Sequence, residues 1–235
     1  MKITPQTLYQ ILNSRFGSLD WWPMDKEYHT KKGSDQRFEV IVGAILTQNT
    51  AWSNVEKAIF SLKSQKVLDI DSISKVGIKK LQKLIKSSGF FNQKAERLKN
   101  LTLYFKQNYQ GDLDHFFEKD INAIRTELLS LNGIGPETAD SIILYAGNLP
   151  IFVVDAYTKR ICERLPMDTK ISYEEIQSYF EKELEKSYSK DELVKIYNNL
   201  HAMIVILGKN YCKKSPKCKG CPLNKYCNYY KNSNQ

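Results

Sequence analysis

One carboxylate and four thiols in this chain are of types that can do chemistry. Asp155 follows the apolar run Phe152-Val153-Val154 and opens a helical pattern at Tyr157, Ile161 and Leu165. By residue type alone it is an N-cap, for which aspartate is a preferred residue. A carboxylate kept ionised at a helix start can also stabilise developing positive charge or assist an attacking water. Cys212, Cys218, Cys221 and Cys227 form C-x5-C-x2-C-x5-C, four thiols within sixteen residues. Thiolates suit zinc or an iron–sulfur cluster. Structural zinc usually shows two close pairs separated by a longer loop, whereas here one pair has single cysteines on either side. Cys162 is left over and reads as a core residue.

Two further groups stand out by type. Leu131-Asn132-Gly133-Ile134-Gly135-Pro136-Glu137-Thr138-Ala139-Asp140 lies between helical patterns, Ile121, Ile124 and Leu128 before it and Ile142, Ile143 and Ala146 after it. Two glycines around one apolar residue permit a tight turn. That turn is either an ordinary helix corner or a place where backbone N–H groups meet a phosphate. All three tryptophans, Trp21, Trp22 and Trp52, fall in the first 52 residues. Each either packs in the core or offers a ring face to a ligand.

The elements that must hold these groups read as helices. Leu8, Ile11, Leu12 and Phe16 follow Thr4-Pro5, a cap and a first-turn proline. Val55, Ala58, Ile59 and Leu62 follow Ser53, with Glu56 completing a capping box, and Ser172 with Glu175 repeats that signal. The apolar run 202–207 extends the pattern of Leu193, Ile196 and Leu200, which favours a buried helix over a short strand. The expectation is an all-α protein of about ten helices. No run is long and apolar enough to span a bilayer, and Met1-Lys2-Ile3-Thr4-Pro5 carries no apolar signal core. An intracellular, cytoplasmic protein is expected, a setting in which disulfides are uncommon.

Charge points to an anionic partner. The chain carries 35 Lys and Arg against 26 Asp and Glu, a formal net charge of +9. Residues 75–99 hold eight basic side chains and one acid, and residues 209–231 hold seven lysines and no acid. Two such segments suit a surface that follows phosphates; the first alone would equally suit a solvated helix face.

Together these motifs resemble a family. Leu131-x-Gly133-Ile134-Gly135-x-x-Thr138-Ala139, followed at this spacing by Val154-Asp155, resembles the helix-hairpin-helix and aspartate signature of the endonuclease III superfamily. Ile45-Leu46-Thr47-Gln48-Asn49-Thr50 resembles its glutamine segment, which enters the lesion, and Gly89-Phe90-Phe91-Asn92-Gln93-Lys94-Ala95 its loop beside the opposite strand. The resemblance implies a DNA N-glycosylase of base excision repair, acting as a monomer on double-stranded DNA that contains a damaged base. It implies a two-lobed helix-hairpin-helix glycosylase fold: a six-helix barrel lobe at 29–150 and a cluster lobe from 1–28 and 151–235. Asp155 becomes the catalytic carboxylate, and Gly133, Ile134, Gly135, Thr138, Phe90 and Lys94 become DNA-binding residues. The four cysteines become ligands of a 4Fe-4S cluster on the loop 212–227, with zinc the alternative; the family commonly has six residues in the first gap where this chain has five. Strand-cutting members carry a lysine where this chain has Glu137, and a carboxylate cannot form their Schiff base, so hydrolysis without lyase activity is implied.

Trp21-Trp22-Pro23 resembles a segment of the superfamily's alkylpurine (3-methyladenine) branch, which also places an aromatic at the position of Trp52. Trp22 and Trp52 are then expected to sandwich a cationic base, with Tyr28, Gln48 and Glu137 as further substrate-binding residues and Trp21 packed inside. A cation over an indole gains about 0.5–2 kcal/mol. The alternatives are a glycosylase for oxidised or mispaired pyrimidines and a non-catalytic DNA-binding protein.

Overall fold

The structure, a computed structural model, describes residues 2–19 and 21–233, and among these the regular structure is helical with no strand. The chain runs through α1 (Pro5–Phe16), α2 (Lys26–Lys32), α3 (Arg37–Leu46), α4 (Trp52–Ser64), α5 (Ile70–Lys75), α6 (Ile78–Leu84) and α7 (Phe91–Tyr109). It continues through α8 (Leu113–Phe117), α9 (Ile121–Ser130), α10 (Pro136–Ser141), α11 (Ala156–Arg164), α12 (Tyr173–Glu185), α13 (Lys190–Asn210) and α14 (Asn228–Ser233). The helices beyond the ten expected are α2, α5, α8 and α14, of five to seven residues. Such lengths barely register in a 3.6-residue pattern.

The helix starts follow side-chain caps. Thr4 accepts from Thr7 N with Pro5 in the first turn, and Ser172 accepts from Glu175 N. The expected box at Ser53 and Glu56 does not form, because α4 begins at Trp52 and Ala51 takes the cap position. A reciprocal box that the sequence reading passed over joins Ser189 and Glu192 at the start of α13. The run 202–207 lies inside α13, a helix of 21 residues.

Contacts divide the chain into two units. One joins the described residues up to Trp21 with those from Pro150 onward, and the other is Trp22–Leu149. The boundary therefore falls before Trp22, not after Tyr28 as the sequence suggested. Asp25 explains the shift: it caps α2 by accepting from Tyr28 N, and its other oxygen accepts from Lys63 of α4 at 3.1 Å.

In the 22–149 unit the long helix α7 packs against α3, α5, α6 and α8. Phe38, Ile41, Ile45, Leu98, Phe105 and Phe116 fill its core. The turn between α9 and α10 depends on Gly133, at φ 82°; a Cβ there would stand 2.2 Å from Arg97 Nε. Gly135 has open space beside it, so the two glycines do different work. Asp140 of α10 is fully buried and accepts from Arg125 Nε at 2.7 Å and Nη2 at 3.2 Å. Beyond α10 the helix widens into a π turn, Ile142–Ala146.

The other unit packs α1 against α12 and α13, and α11 against α13. Residues 151–154 are extended and buried without a sheet to satisfy them. Helix α12 supplies the partners: Glu181 accepts from Phe152 N at 2.9 Å, and Gln177 Nε2 donates to Phe152 O at 2.7 Å. Phe152 also stacks on Phe180 at 4.5 Å. Buried backbone groups need such partners, so α12 fixes where this segment ends.

Replacing Asp140 with Ala removes two hydrogen bonds from the Arg125 guanidinium and leaves a cavity at a fully buried position. The expected loss is about 3 kcal/mol of folding stability, read as a lower urea midpoint at unchanged slope. A midpoint within experimental error of the parent would refute this role for the pair.

Candidate active site

Asp155 closes the extended segment and caps α11. Its Oδ1 accepts from Thr158 N at 2.7 Å and from Thr158 Oγ1 at 2.8 Å. Its Oδ2 faces His201 Nε2 at 3.7 Å. The residue is 8% exposed. Burial pushes the carboxyl group up; His201 and the Thr158 hydrogen bonds outweigh that, leaving it below the ordinary carboxylate range. The cap and chemical readings are thus compatible, since one oxygen caps while the other faces a polar partner. Sequence reasoning missed His201. Its only signal was a histidine among Leu200, Ala202, Met203 and Ile204, on a stretch of helix that is otherwise apolar.

The tryptophans divide between the units. Trp21 belongs with the first, whereas Trp22 and Trp52 meet in the second. Trp22 lies edge-to-face on Trp52 with centroids 5.2 Å apart, and on Tyr145 at 5.3 Å. The expected pair is therefore brought together, but as touching rings at 85° and not as parallel walls of a slot. Trp22 reaches this place because Gly43 has no side chain: a Cβ there would stand 3.0 Å from Trp22 Nε1. Both indoles line a cavity of about 550 Å³ with Pro23, Ile59, Phe60 and Lys63. Its polar wall is Asp25, Glu39 and Glu56 beside Lys63. Glu39 is buried, an environment that raises a carboxyl pKa, yet hydrogen bonds from His29 and Lys63 bring it below its ordinary range. Tyr28 is absent from this wall; its ring stands edge-on to His29 and its hydroxyl is buried.

The glutamine segment and the hairpin are bound to each other. Gln48 Nε2 donates to Gly133 O and Thr138 Oγ1, each at 3.0 Å, and its Oε1 accepts from Arg97. Thr138 and Ile134 are buried, so their side chains shape the hairpin and do not offer themselves to a ligand. Glu137 is exposed in the first turn of α10. Phe90 is 65% exposed and holds a left-handed backbone, φ 45°; Asn49 does the same at φ 51°. Non-glycine residues there are uncommon, and such strain concentrates at functional loops.

Lys94 corrects the sequence reading. It is not a surface cation but 1% exposed, and its ammonium donates to Leu46 O, Thr50 Oγ1 and Ser88 O, each at 2.8 Å. It ties the turn after α3 to the turn before α7. Burial, helped by the nearby Arg97 charge, lowers its pKa to about 8. The signal was in the sequence: Lys94 shares one helix face with Leu98, Leu101 and Phe105.

Cys212, Cys218, Cys221 and Cys227 are unpaired as disulfides and line one small void with Arg164, Pro216 and Tyr229. Arg164 Nη1 donates to Cys212 Sγ at 3.3 Å, and Arg160 Nε to Cys212 O at 2.7 Å. Burial raises the Cys218 and Cys221 thiols, and the neighbouring cysteines add to it. Among the described residues no three His, Cys, Asp or Glu side chains close to the spacing of a single bound ion. Cys162 lies apart and buried, and burial with the Glu163 charge pushes its thiol up to about 12.

Residues 42–186 match the family described as HhH-GPD superfamily base excision DNA repair protein. The chain belongs to that superfamily. The HhH-GPD chain is 44% identical over 223 residues to the Methanocaldococcus jannaschii protein named "Putative DNA repair glycosylase MJ1434", covering 94% of each. It is 30% identical over 197 residues to endonuclease III of Sulfolobus acidocaldarius, covering 82% of each. The H. pylori 3-methyladenine DNA glycosylase MagIII, solved with 1,N6-ethenoadenine, is a structural neighbour at a TM-score of 0.73 and 27% identity. That alignment covers 88% of the HhH-GPD chain and 98% of the other. Among the described residues no helix is long and apolar enough to cross a membrane.

The Lys94 clamp predicts a pH dependence. Its folded pKa lies near 8 against an unfolded value near 10.5, so between those pH values the unfolded chain binds more protons there. Stability of the parent relative to Lys94→Met should therefore rise with pH across that window, read from paired urea titrations. A difference that is flat or falling across the window would contradict the burial of a charged ammonium.

Proposed function

We propose that this HhH-GPD protein is a monofunctional DNA glycosylase that hydrolyses the N-glycosidic bond of alkylated purines in duplex DNA. The observation that carries the reading is Asp155, a buried carboxylate held ionised with one oxygen locked in a helix cap. Departure of a base leaves positive charge on the deoxyribose, and a fixed carboxylate stabilises that charge and orients water for attack. By the family resemblance, Glu137 takes the position at which strand-cutting members carry a lysine. A carboxylate forms no imine, which supports water as the nucleophile.

Choice of base rests on the cavity. Trp22 and Trp52 line it beside Asp25, Glu39 and Glu56. Indole faces and carboxylates favour a cationic 3-methyl- or 7-methylpurine over a neutral base. The edge-to-face contact leaves ring faces of the pair uncovered by each other, on which a base could stack. MagIII, named a 3-methyladenine DNA glycosylase, supports the same choice, and the rival reading is a glycosylase for oxidised or mispaired pyrimidines. The partner is double-stranded DNA, and the lysines of 75–99 other than the buried Lys94, with those of 209–231, supply phosphate affinity without sequence preference.

Four unpaired cysteines around one void fit a 4Fe-4S cluster by their donor chemistry. Cys212, Cys218, Cys221 and Cys227 would hold it, and it would supply a structural anchor for the lysine-bearing loop. Arg164 and Arg160 already fix one end of that loop through Cys212.

Single-turnover base release on duplexes carrying 3-methyladenine, 7-methylguanine, thymine glycol, uracil or a T·G mispair tests the reading. Alkylpurine release is expected, abolished in Asp155→Asn while DNA affinity is kept, with no adduct trapped by borohydride. Trp52→Ala should lose one stacking contact, about 1–3 kcal/mol in rate. Thymine glycol or uracil release without alkylpurine release would assign the pyrimidine specificity instead, and a borohydride adduct on a lysine would overturn the hydrolytic mechanism.

Anaerobically purified protein should be yellow-brown with about four irons and four acid-labile sulfides per chain. One zinc per chain and no iron would replace the cluster with the alternative metal.

A further inference from the structure

The second oxygen of Asp155 has a neighbour that the helix cap does not explain. His201 lies on α13, 46 residues along the chain, and is 6% exposed. Burying a polar ring in that stretch of helix costs free energy unless the ring meets a polar partner. Its Nε2 faces Asp155 Oδ2 at 3.7 Å. The approach is built in from both helices. Gly208, two turns further along α13 on the same face, makes room for Tyr157 of α11: a Cβ there would stand 2.2 Å from the Tyr157 ring. A bulkier residue would separate α11 from α13 and draw His201 away from Asp155.

We propose that His201 is the positioning residue of the Asp155 carboxylate, facing Oδ2 from α13 while Thr158 locks Oδ1. Among the described residues, other titratable groups on the helices around this segment make the following contacts. On α11, Lys159 Nζ stands over the Tyr173 ring at 5.8 Å, and Arg160 lies over the Tyr157 ring at 5.1 Å while donating to Cys212 O. On α12, Glu181 accepts from Phe152 N, and the Tyr173 hydroxyl accepts from Val154 N at 3.5 Å. Tyr197 of α13 packs its ring edge-on against Phe152. His201 is then, with the Thr158 hydrogen bonds, what offsets the burial that would otherwise protonate Asp155.

The consequence for rate rests on the glycosylase reading; the partnership itself does not. Two measurements separate them. In the DNA-free protein, the Asp155 carboxyl carbon is followed by 13C NMR against pH, its signal assigned by its loss in Asp155→Asn. The parent should titrate below the ordinary carboxylate range. His201→Phe should raise the midpoint by about one unit or more. His201→Gln, which keeps a polar N–H donor, should lie between them. Thermal melts establish that each variant is folded, and if His201→Phe is not, His201→Gln carries the test.

The second measurement is single-turnover release of 3-methyladenine from pH 4 to 8 (about the range that spans the shift). The acid limb should move up with the NMR midpoint, so that the variant's deficit is greatest at low pH and shrinks as pH rises. An unmoved midpoint in a folded variant, or a deficit equal at every pH, would overturn the proposal. Parent protein that releases no base while the midpoint still shifts would reject the substrate reading and leave the Asp155–His201 partnership standing.

Discussion

A charge placed inside a protein must be compensated, and the unit that carries Asp155 is organised around that requirement. A buried carboxylate left to itself takes up a proton and loses its charge. Here the compensation comes from three directions. The start of α11 gives hydrogen bonds to one oxygen, α13 brings His201 to the other, and α12 holds the preceding extended segment so that both meet the same side chain. None of the three acts alone. Without the side chains of α12, residues 151–154 would carry buried N–H and C=O groups with no sheet to receive them.

The 22–149 unit follows the same logic with the opposite sign. Lys94 is an inward-facing cation whose three hydrogens meet three oxygens, none of them from a carboxylate. Two backbone turns are thereby fixed to each other through one nitrogen, and those turns carry Asn49 and Phe90 in left-handed conformations. A left-handed non-glycine residue persists only where its surroundings over-determine it. The clamp, the Gln48 contacts to the hairpin and the close fit of Gly133 against Arg97 provide that surrounding.

Much of this was legible in the sequence, for identifiable reasons. The long helices announce themselves by apolar spacing and caps, as at Thr4 and Ser172, whereas α5 and α8 are too short to do so. Asp155 reads locally as a helix cap, which the structure shows, and only its spacing from the hairpin in the family resemblance singled it out further. His201 could not be found by spacing, since it approaches from another helix through tertiary packing alone. Lys94 was misread because its residue type suggested phosphate, although its register beside Leu98 and Phe105 placed it inside. The Trp22–Trp52 pairing followed from motif order, but the angle between the rings depends on Gly43 and Tyr145, which no linear pattern connects.

The discontinuity of the first unit bears on how the chain is made. Helix α1 packs on α12 and α13, yet the whole of Trp22–Leu149 is synthesised between them. During translation the 22–149 segment can bury its own apolar surface as soon as it leaves the ribosome. Leu8 and Leu12 must stay uncovered until residues 173–210 have emerged. The aspartate, held between α11, α12 and α13, therefore acquires its surroundings last, in a slow, non-local closure that joins the first helix made to the later ones. A nascent chain stalled before α13 would present a folded 22–149 unit followed by an Asp155 carboxylate that is still in water.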